Sequence, residues 1–496
     1  MDEQRTKVTT LLDRASCLAS IELQRAGFVP SQEEREELAR ISSRLNEALR
    51  IFDLHGDAPA ALRQRAATQV ALNRSISSPV RRLPPELLLI VIYFIIEEVE
   101  HFSRATLIAD TIASVCVGWR LIALGDPQLW RCISSVRPRA MDLALSSQAT
   151  LANMLPLLIR YSWDSNPTAL PGFFQALKSY ATRWIYIDIS TSQSSILESL
   201  PTIELPVLTA AKIRLEGPAV FGKLRPLEFL SKASTLTLLS VHLLLDWPYD
   251  AFWSEVCFPP FPNLVTLDIH VDNDRYEPLL PTFLVAMKSS ASSLVNFHLH
   301  VMCCNGDPDF EIPVVFPALR RITLASAAPG TVLRYIAAPA LEELVLDDIR
   351  RCNYAPIIEL FDFLSNPPLP GLTRLTLKNV VALDHGDVLG CMQYLANLEE
   401  LHVHEDKGQT FLLLSEPVLH RLTCVADESP LLPKLSTVTV VYDVVDTDAY
   451  RKVESIWRDM IASRNEPRVC ADISVVALEK AEVTDIESDE EVDEFY

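Results

Sequence analysis

Hydrophobic residues near the start of the chain recur at the spacing of an α-helix. Ser31 and Glu34 fit a capping box, in which each side chain accepts a hydrogen bond from the other residue's backbone N–H. The apolar residues that follow form a short, heptad-like stripe: Leu38, Ile41, Leu45, Ala48 and Phe52. The pattern predicts a helix that packs on its own protein, with a dimerisation helix as the alternative. A second helix is predicted over 58–76, so residues 1–77 are expected to be a helical region.

Beyond residue 180 the hydrophobic pattern takes the short period of β-strands. Apolar residues recur at i, i+3 and i+5 in units that begin at Trp184, Leu208, Ala233, Leu264, Leu294, Leu319, Leu341, Leu372, Leu398, Leu419 and Leu435. In seven of these units a proline stands two residues before the first leucine. One such unit cannot bury its strand face alone, so neighbouring units must stack.

The length of these units resembles that of leucine-rich repeats, which are about 20–29 residues long. The lengths vary, and no unit carries the Asn or Cys that regular repeats place after the last leucine. We therefore expect an irregular solenoid over 134–478 and an α/β fold. A closing helix is predicted over 446–465 and a last strand over 469–478. The acidic segment 479–496 has little to bury and is expected to be disordered.

Residues 87–96 form an unbroken apolar run after Pro84 and Pro85. Ten helical residues rise about 15 Å, and the hydrocarbon core of a bilayer is about 30 Å thick, so this run is too short to span a membrane. A helix that is apolar on nearly all sides must bury more than one face. Downstream apolar residues at helical spacing can cover one side only: Ile112, Val115, Cys116 and Trp119. The other side is predicted to meet a partner.

Three short motifs surround this run: L-P-x-E-L-L at 83–88, V-C-x-x-W-R at 115–120 and P-x-L-W at 127–130. Together they resemble the F-box, a helical module that docks on the Skp-type adaptor of SCF ubiquitin ligases. The resemblance covers 78–133. With the degenerate repeats behind it, the layout is similar to a large F-box group of mushroom-type fungi, and R-W-I-Y-I-D-I-S at 183–190 resembles that group's first repeat strand.

The resemblance implies a role for each matching residue. The expected adaptor contacts are Leu83, Pro84, Leu87, Leu88 and Ile92. The expected core of the module is Val91, Val115, Cys116, Trp119 and Trp130. The chain would then be a non-enzymatic receptor that brings a target protein to the ligase. Two alternatives are an interaction scaffold that joins no ligase and, for 83–130, a helical cap on the repeats.

Charge and composition narrow the remaining function classes. The net charge of −21 argues against nucleic acid and anionic membranes as general partners, because both attract positive charge. With only 13 glycines and no phosphate-binding loop, the chain is not expected to use a nucleotide or other cofactor. Ten cysteines without a C-x-x-C pair, and a charged start without a signal peptide, favour a cytoplasmic or nuclear protein.

The repeat pattern also predicts which polar residues face outward on the strands. These candidate target contacts are Asp268, His270, His298, His300, Lys378, His402 and His404. A histidine and aspartate cluster can bind a metal or a pH-sensitive partner, but ordinary polar residues on a wet strand face are the favoured interpretation, and no metal is expected. Ser488, followed by three acidic residues, resembles a site for an acidophilic kinase; a solvated tail is the alternative.

Overall fold

The computed structural model describes residues 2–55, 59–98, 105–135, 141–162, 167–193, 196–197, 199–216, 227–244, 259–272, 287–301, 313–326, 329–348, 356–365, 369–382, 384–405, 412–442 and 447–485. The chain is mixed α/β, with helices at the N-terminal end and a large parallel sheet. It divides into two compact units, Met1–Arg160 and Tyr161–Tyr496. The boundaries predicted at 77 and 133 both fall inside the first unit.

The first unit is mainly helical. Its described helices are α1 (Asp2–Leu18), α2 (Ile21–Arg25), α3 (Gln32–His55), α4 (Ala60–Ile76), α5 (Pro85–Glu98), α6 (Ala105–Val115), α7 (Val117–Gly125) and α8 (Met141–Leu151). Short 3-10 helices occupy Pro79–Arg82 and Pro127–Trp130. Two strands, β1 (Cys132–Ser134) and β2 (Leu157–Tyr161), pair in parallel.

The capping box at the start of α3 is confirmed. Ser31 N–H donates to Glu34 Oε2 at 2.7 Å, and Glu34 N–H donates to Ser31 Oγ at 3.3 Å. The predicted apolar stripe is buried along its whole length, chiefly against residues of α1 and α4 such as Leu12 and Val70. This helix therefore packs on its own protein, as the favoured interpretation of the stripe predicted.

The second unit is built mainly of β-strands. They are β3 (Trp184–Thr191), β4 (Ala210–Glu216), β5 (Leu238–Leu244), β6 (Thr266–Asp272), β7 (Asn296–Val301), β8 (Val314–Val315), β9 (Arg321–Ser326), β10 (Ile336–Ala337), β11 (Glu343–Asp348), β12 (Arg374–Lys378), β13 (Glu400–Glu405), β14 (Thr437–Tyr442), β15 (Arg468–Cys470), β16 (Ile473–Val475) and β17 (Lys480–Asp485). The described helices are α9 (Leu170–Leu177), α10 (Pro329–Leu333), α11 (Pro356–Ser365), α12 (His385–Gln393), α13 (Glu416–Leu422) and α14 (Thr447–Ser463).

The main strands of this unit lie side by side in chain order. The order is β3-β4-β5-β6-β7-β9-β11-β12-β13-β14-β17, and every neighbouring pair is parallel. Strands β8 and β10 form a separate parallel pair, while β15 and β16 form an antiparallel hairpin. A parallel strand needs a crossover connection to reach its neighbour, which explains the long segments between strands.

A tight turn leads into many of these strands and explains the repeated prolines. The N–H of the unit's first leucine donates to the carbonyl three residues earlier, as in Leu264 to Phe261 at 3.2 Å and Leu372 to Leu369 at 3.2 Å. Pro262 and Pro370 occupy the second position of these turns. Proline suits that position because its ring already holds φ near the value that the turn requires.

Most predicted units form strands whose apolar residues point into the core, but two predictions were wrong. The unit assigned to Ala233 begins at Leu236, because Leu236, Leu239 and Val241 are buried and Leu238 is exposed. The unit assigned to Leu419 is helix α13, because Pro417 stands in the first turn of a helix instead of a turn before a strand.

The C-terminal predictions need a similar correction. The closing helix is confirmed as α14, which buries Val453, Trp457 and Met460. Segment 469–478 does not supply the last strand of the sheet, since it contributes to the β15–β16 hairpin. The last strand of the sheet is β17, which pairs with β14. The segment 479–496, predicted to be disordered, is therefore ordered up to residue 485. Residues 486–496 lie outside the described part of the chain.

Strand β13 ends in a buried carboxyl group. Glu405 is 1% exposed, and its Oε1 accepts a hydrogen bond from the backbone N–H of Leu414 at 3.1 Å. Burial raises the pKa of Glu405 to about 7, although hydrogen bonds from the backbone of Leu414 and Leu413 act in the opposite direction. Near neutral pH the buried carboxyl of Glu405 is therefore present in both its protonated and its ionised form.

We expect Glu405 to make the stability of the second unit depend on pH. The folded carboxyl keeps its proton up to about pH 7, whereas an ordinary glutamate has a pKa of 4.5, so the free energy of unfolding falls as pH rises between these values. The side chain of Glu405→Gln cannot ionise. Its free energy of unfolding should equal that of the wild type near pH 4.5 and be higher by up to about 3 kcal/mol above pH 7. Urea unfolding across this pH range measures the difference. Glu400→Gln, at a more exposed position of the same strand, is the control, and a pH-independent effect of Glu405→Gln would contradict the assignment.

Candidate functional site

Helix α5 has one buried side and one exposed apolar side. Leu88 and Ile92 are 2% and 1% exposed and point inward, and α5 packs against α6 and α7. The other side carries five large apolar residues that are 43% to 62% exposed, at the spacing i, i+3, i+4, i+7 and i+8: Leu87, Ile90, Val91, Phe94 and Ile95. This spacing puts them on one side of the helix, and we call them the α5 face.

The α5 face corrects several of the roles predicted from the motif. Leu88 and Ile92 are core residues and are not available on the surface, so their prediction as adaptor contacts was wrong. Val91 and Val115, predicted as core, are exposed. Which side of α5 faces inward depends on how α6 and α7 pack against it.

The remaining motif residues lie where the prediction allows. Leu83 is half-buried and Pro84 is exposed at the start of α5, next to the exposed Leu87. Their adaptor contacts stay a prediction. Trp130 is buried, as predicted, and its indole N–H donates to the carbonyl of Ala123 at 2.7 Å. Cys116 and Trp119 are half-buried, and Cys116 Sγ accepts the backbone N–H of Trp119 at 3.5 Å, which caps α7.

One hydrogen bond ties α5 to the turn after α7. The hydroxyl of Tyr93 donates to Asp126 Oδ2 at 2.5 Å, and Asp126 Oδ1 accepts the backbone N–H of Gln128 at 3.0 Å. Burial, together with this bond and the charge of Asp126, raises the pKa of Tyr93 well above its usual value. Tyr93 therefore remains a donor at any physiological pH and holds the orientation of the α5 face.

In the second unit, the sheet brings histidines from three neighbouring strands together. The register pairs His242 of β5 with His270 of β6, and His270 with His300 of β7. The rings stack, with centroids 5.3 Å apart between His242 and His270 and 4.1 Å apart between His270 and His300. We call these three residues the histidine row. It confirms the predicted proximity of His270 and His300.

Asp268 lies beside this row, at the register position that pairs with His298. Its Oδ2 accepts the Ser240 hydroxyl at 2.8 Å and lies 3.5 Å from His242 Nε2. Burial acts to raise the pKa of Asp268, but hydrogen bonds from His242 and Ser240 outweigh it, so the pKa lies below its usual value. Asp268 is thus a carboxylate that already has partners in the protein.

The sequence prediction missed His242 and Ser240 because of the register error at Ala233. Counted from Leu236, Ser240 and His242 occupy the same outward positions, i+4 and i+6, that Asp268 and His270 occupy in the next unit. The correct register was available in the sequence, since Leu236, Leu239 and Val241 also fit the i, i+3, i+5 pattern. Because the predicted unit began three residues too early, His242 was not predicted to face outward with His270 and His300.

The other predicted target contacts form a separate group. The register pairs Lys378 of β12 with His404 of β13, and His402 Nε2 lies 3.7 Å from Glu400 Oε2. Strands β9 and β11 separate this group from the histidine row. Across the described residues, no three or more His, Cys, Asp or Glu side chains are grouped as they would be to hold a metal ion. Ser488 lies outside the described residues.

No family model matches this chain, and no curated protein matches it significantly. The resemblance to F-box proteins therefore rests on the sequence motifs. In the part of the chain that the structure describes, no helix is both long and apolar enough to cross a membrane. The α5 face and the outward face of the parallel sheet are the two surfaces that call for a functional explanation.

Substitution of two neighbouring residues of α5 should change stability by different amounts. Tyr93→Phe removes the hydrogen bond to Asp126 and leaves that carboxylate without its hydroxyl donor, so we expect a loss of about 1–2 kcal/mol in the free energy of unfolding. Phe94→Ser removes a largely exposed ring and should change stability by less than about 0.5 kcal/mol. Chemical denaturation of the two variants measures this. Equal destabilisation by both would show that Phe94 is packed, contrary to its exposure.

Proposed function

We propose that this protein is a non-enzymatic target receptor of an SCF-type ubiquitin ligase. In this proposal, residues 78–133 are an F-box module that docks on the Skp-type adaptor, and the second unit is an irregular leucine-rich-repeat solenoid that holds the target. The observation that carries the proposal is the α5 face, an exposed apolar stripe in the helix that bears the F-box-like motif.

The physical argument begins with the cost of exposing apolar side chains. Full burial of a large aliphatic or aromatic side chain contributes about 1.5–3 kcal/mol. The α5 face leaves five such side chains 43% to 62% exposed on one side of the helix, so part of this contribution is not made within the chain. Apolar patches of this kind on a folded surface usually mark interaction sites. The spacing i, i+3, i+4 and i+7 is that of a helix laid into an apolar groove of a partner. The partner that the resemblance implies is the Skp-type adaptor.

The repeat arrangement supports the second half of the proposal. From β3 to β13, register-matched residues of successive strands are 22 to 31 residues apart, the extremes being Ile322 to Leu344 and Leu344 to Leu375. In β7, β9, β11 and β13, alternate residues are buried, and most of the residues between them are polar. Stacked repeats of this length form an extended face on which a protein target can lie.

The proposed contribution to ubiquitin transfer is proximity. A receptor that holds a target lysine near the charged partner enzyme converts a bimolecular encounter into a nearly unimolecular one. This role requires the chain to bind a partner at each surface and needs no catalytic group of its own. The polar residues identified in the second unit fit a binding role of this kind.

Adaptor binding by charged variants of the α5 face tests the proposal. We expect the wild-type chain to bind a purified Skp-type adaptor, and Val91→Glu/Phe94→Glu to bind at least about tenfold more weakly, because two carboxylates would enter an apolar interface. Leu83→Ala/Pro84→Ala, at the motif residues next to the face, should also weaken binding. Met154→Glu, at a residue of the first unit that is 81% exposed, is the matched control and should bind like the wild type.

The outcomes separate the proposal from its alternative. If the folded wild-type chain binds no adaptor, the scaffold that joins no ligase becomes the better description. If the double variant and the control bind equally well, adaptor binding does not use the α5 face. Circular dichroism of each variant shows whether the fold has been kept.

A further inference from the structure

Two buried cysteines lie against each other at the C-terminal end of the second unit. Cys424 follows helix α13 and Cys470 ends strand β15, and both are free thiols. Cys424 is 7% exposed and Cys470 is 1% exposed, and together with Val475 they form one packed cluster. The two side chains also form a hydrogen bond with each other. Two thiols that are far apart in the sequence therefore meet inside the fold.

Hydrogen bonds of the backbone hold the two thiols in this position. The turn of the β15–β16 hairpin consists of Ala471 and Asp472, whose φ angles of 46° and 68° are positive, as in a two-residue hairpin turn of type I′. In this turn the N–H of Ala471 donates to the carbonyl of Ala426 at 3.0 Å. The N–H of Cys424 donates to Ser463 Oγ at 3.0 Å, at the end of α14. The hairpin, α14 and the segment after α13 are thus joined around the thiol pair.

A buried arginine lies beside the pair. Arg464 is 0% exposed, and its guanidinium donates to three backbone carbonyls: Leu422 O at 2.8 Å, Leu432 O at 3.0 Å and Leu431 O at 2.5 Å. Burial raises the pKa of the Cys424 thiol, while the positive charge of Arg464 acts in the opposite direction. The thiolate is the reactive form of cysteine. Burial therefore slows the reaction of this pair, and Arg464 favours the form that can attack an oxidant.

The hairpin gives a small oxidant a route to the thiols. Each of its strands buries a single residue, Cys470 in β15 and Val475 in β16, and exposes the other two. An element with so few buried side chains opens locally at a small cost in free energy. A molecule of the size of hydrogen peroxide can reach both thiols during such openings.

We propose that Cys424 and Cys470 are a modification site for peroxides, which convert the two thiols into a reversible disulfide that fastens the hairpin to the segment after α13. This inference stands apart from the proposed ligase role, since it uses neither the α5 face nor the outward face of the sheet.

The chemistry takes place in two steps. The thiolate of one cysteine attacks an oxygen of hydrogen peroxide, whose O–O bond breaks, so that a sulfenic acid and a water molecule form. The sulfur of the second cysteine then attacks the sulfenic sulfur and displaces a second water molecule. The two thiols together lose two electrons and two protons, which the peroxide takes up. Two molecules of a small thiol such as glutathione restore the pair by exchange and become a disulfide themselves.

The disulfide would close the loop from Cys424 to Cys470, which contains β14 and α14. The Cβ atoms of a disulfide lie about 3.5–4.5 Å apart, so side chains that are already in contact need only a small movement to bond. Closing a loop of about 50 residues restricts the unfolded chain and thereby stabilises the folded state. Because β14 pairs with β17, the bond would resist unfolding at this end of the sheet.

Peptide mapping of the oxidised chain tests the proposal. The full chain is reduced, treated with hydrogen peroxide, alkylated with N-ethylmaleimide in denaturant and digested without reductant. We expect a pair of peptides joined through Cys424 and Cys470, which is lost after treatment with dithiothreitol. The pair should also form in Cys391→Ala, the matched control, because Cys391 is a buried thiol that donates to Ile357 O. The proposal is overturned if peroxide leaves Cys424 and Cys470 as alkylated thiols or oxidises them to separate sulfinic acids.

Thermal unfolding measures whether the bond fastens this end of the sheet. The oxidised wild type should unfold at a midpoint about 5 °C above that of the reduced wild type, and dithiothreitol should reverse the rise. Cys391→Ala should keep this difference, whereas Cys424→Ala should lose it. Each variant is compared with itself in the two redox states, so destabilisation by the substitution alone does not enter the result.

Two outcomes contradict the fastening role. A linked peptide without a higher midpoint in the oxidised wild type would show that the bond does not stabilise the fold, and this comparison requires no variant. An equal rise in Cys424→Ala would show that a different thiol produces the effect.

Discussion

The lateral register of the parallel strands is the constraint on which the second unit depends. Successive side chains of a strand point to opposite faces, so a shift of one residue would exchange the buried leucines for the polar outward residues. Side chains just before several strands strengthen this register by bonding to the preceding unit. Asn263 donates to Ser234 O at 2.7 Å, Ser293 to Leu264 O at 2.8 Å and Asn397 to Pro370 O at 2.9 Å. The core and the outward face are thus set by the same hydrogen bonds.

The sequence was sufficient to predict these strands where a local signal marked the turn before them. Pro262 and Pro370 restrict the backbone at a defined turn position, and their units were predicted in the correct register. The unit near Ala233 has no such proline, and apolar residues at several spacings allowed a wrong start. At Pro417 a proline was present but the predicted strand was wrong, because proline also suits the first turn of a helix. Single-residue signals therefore predict a turn or an element start, and tertiary packing decides which.

The same limit explains the errors in α5. A helix that is apolar on nearly every side contains no sequence signal for which side is covered by its own protein. The bond from Tyr93 to Asp126 and the packing of α6 and α7 against α5 place Leu88 and Ile92 in the core and leave Phe94 exposed. That choice depends on contacts between residues more than twenty positions apart. The motifs alone could not show which side of the helix is buried, and only the packed structure assigns its faces.

The two surfaces are suited to complexes of different lifetime. The α5 face is apolar, so a partner that covers it gains burial energy that depends little on pH or moderate salt, as in permanent complexes. The outward face near the histidine row carries polar and charged side chains, and charge complementarity at such a face mainly speeds association and is weakened by salt. A receptor that stays with its ligase and exchanges its targets needs this combination. The residues of each surface thus agree with the proposed division between a lasting attachment at the first unit and a reversible one at the second.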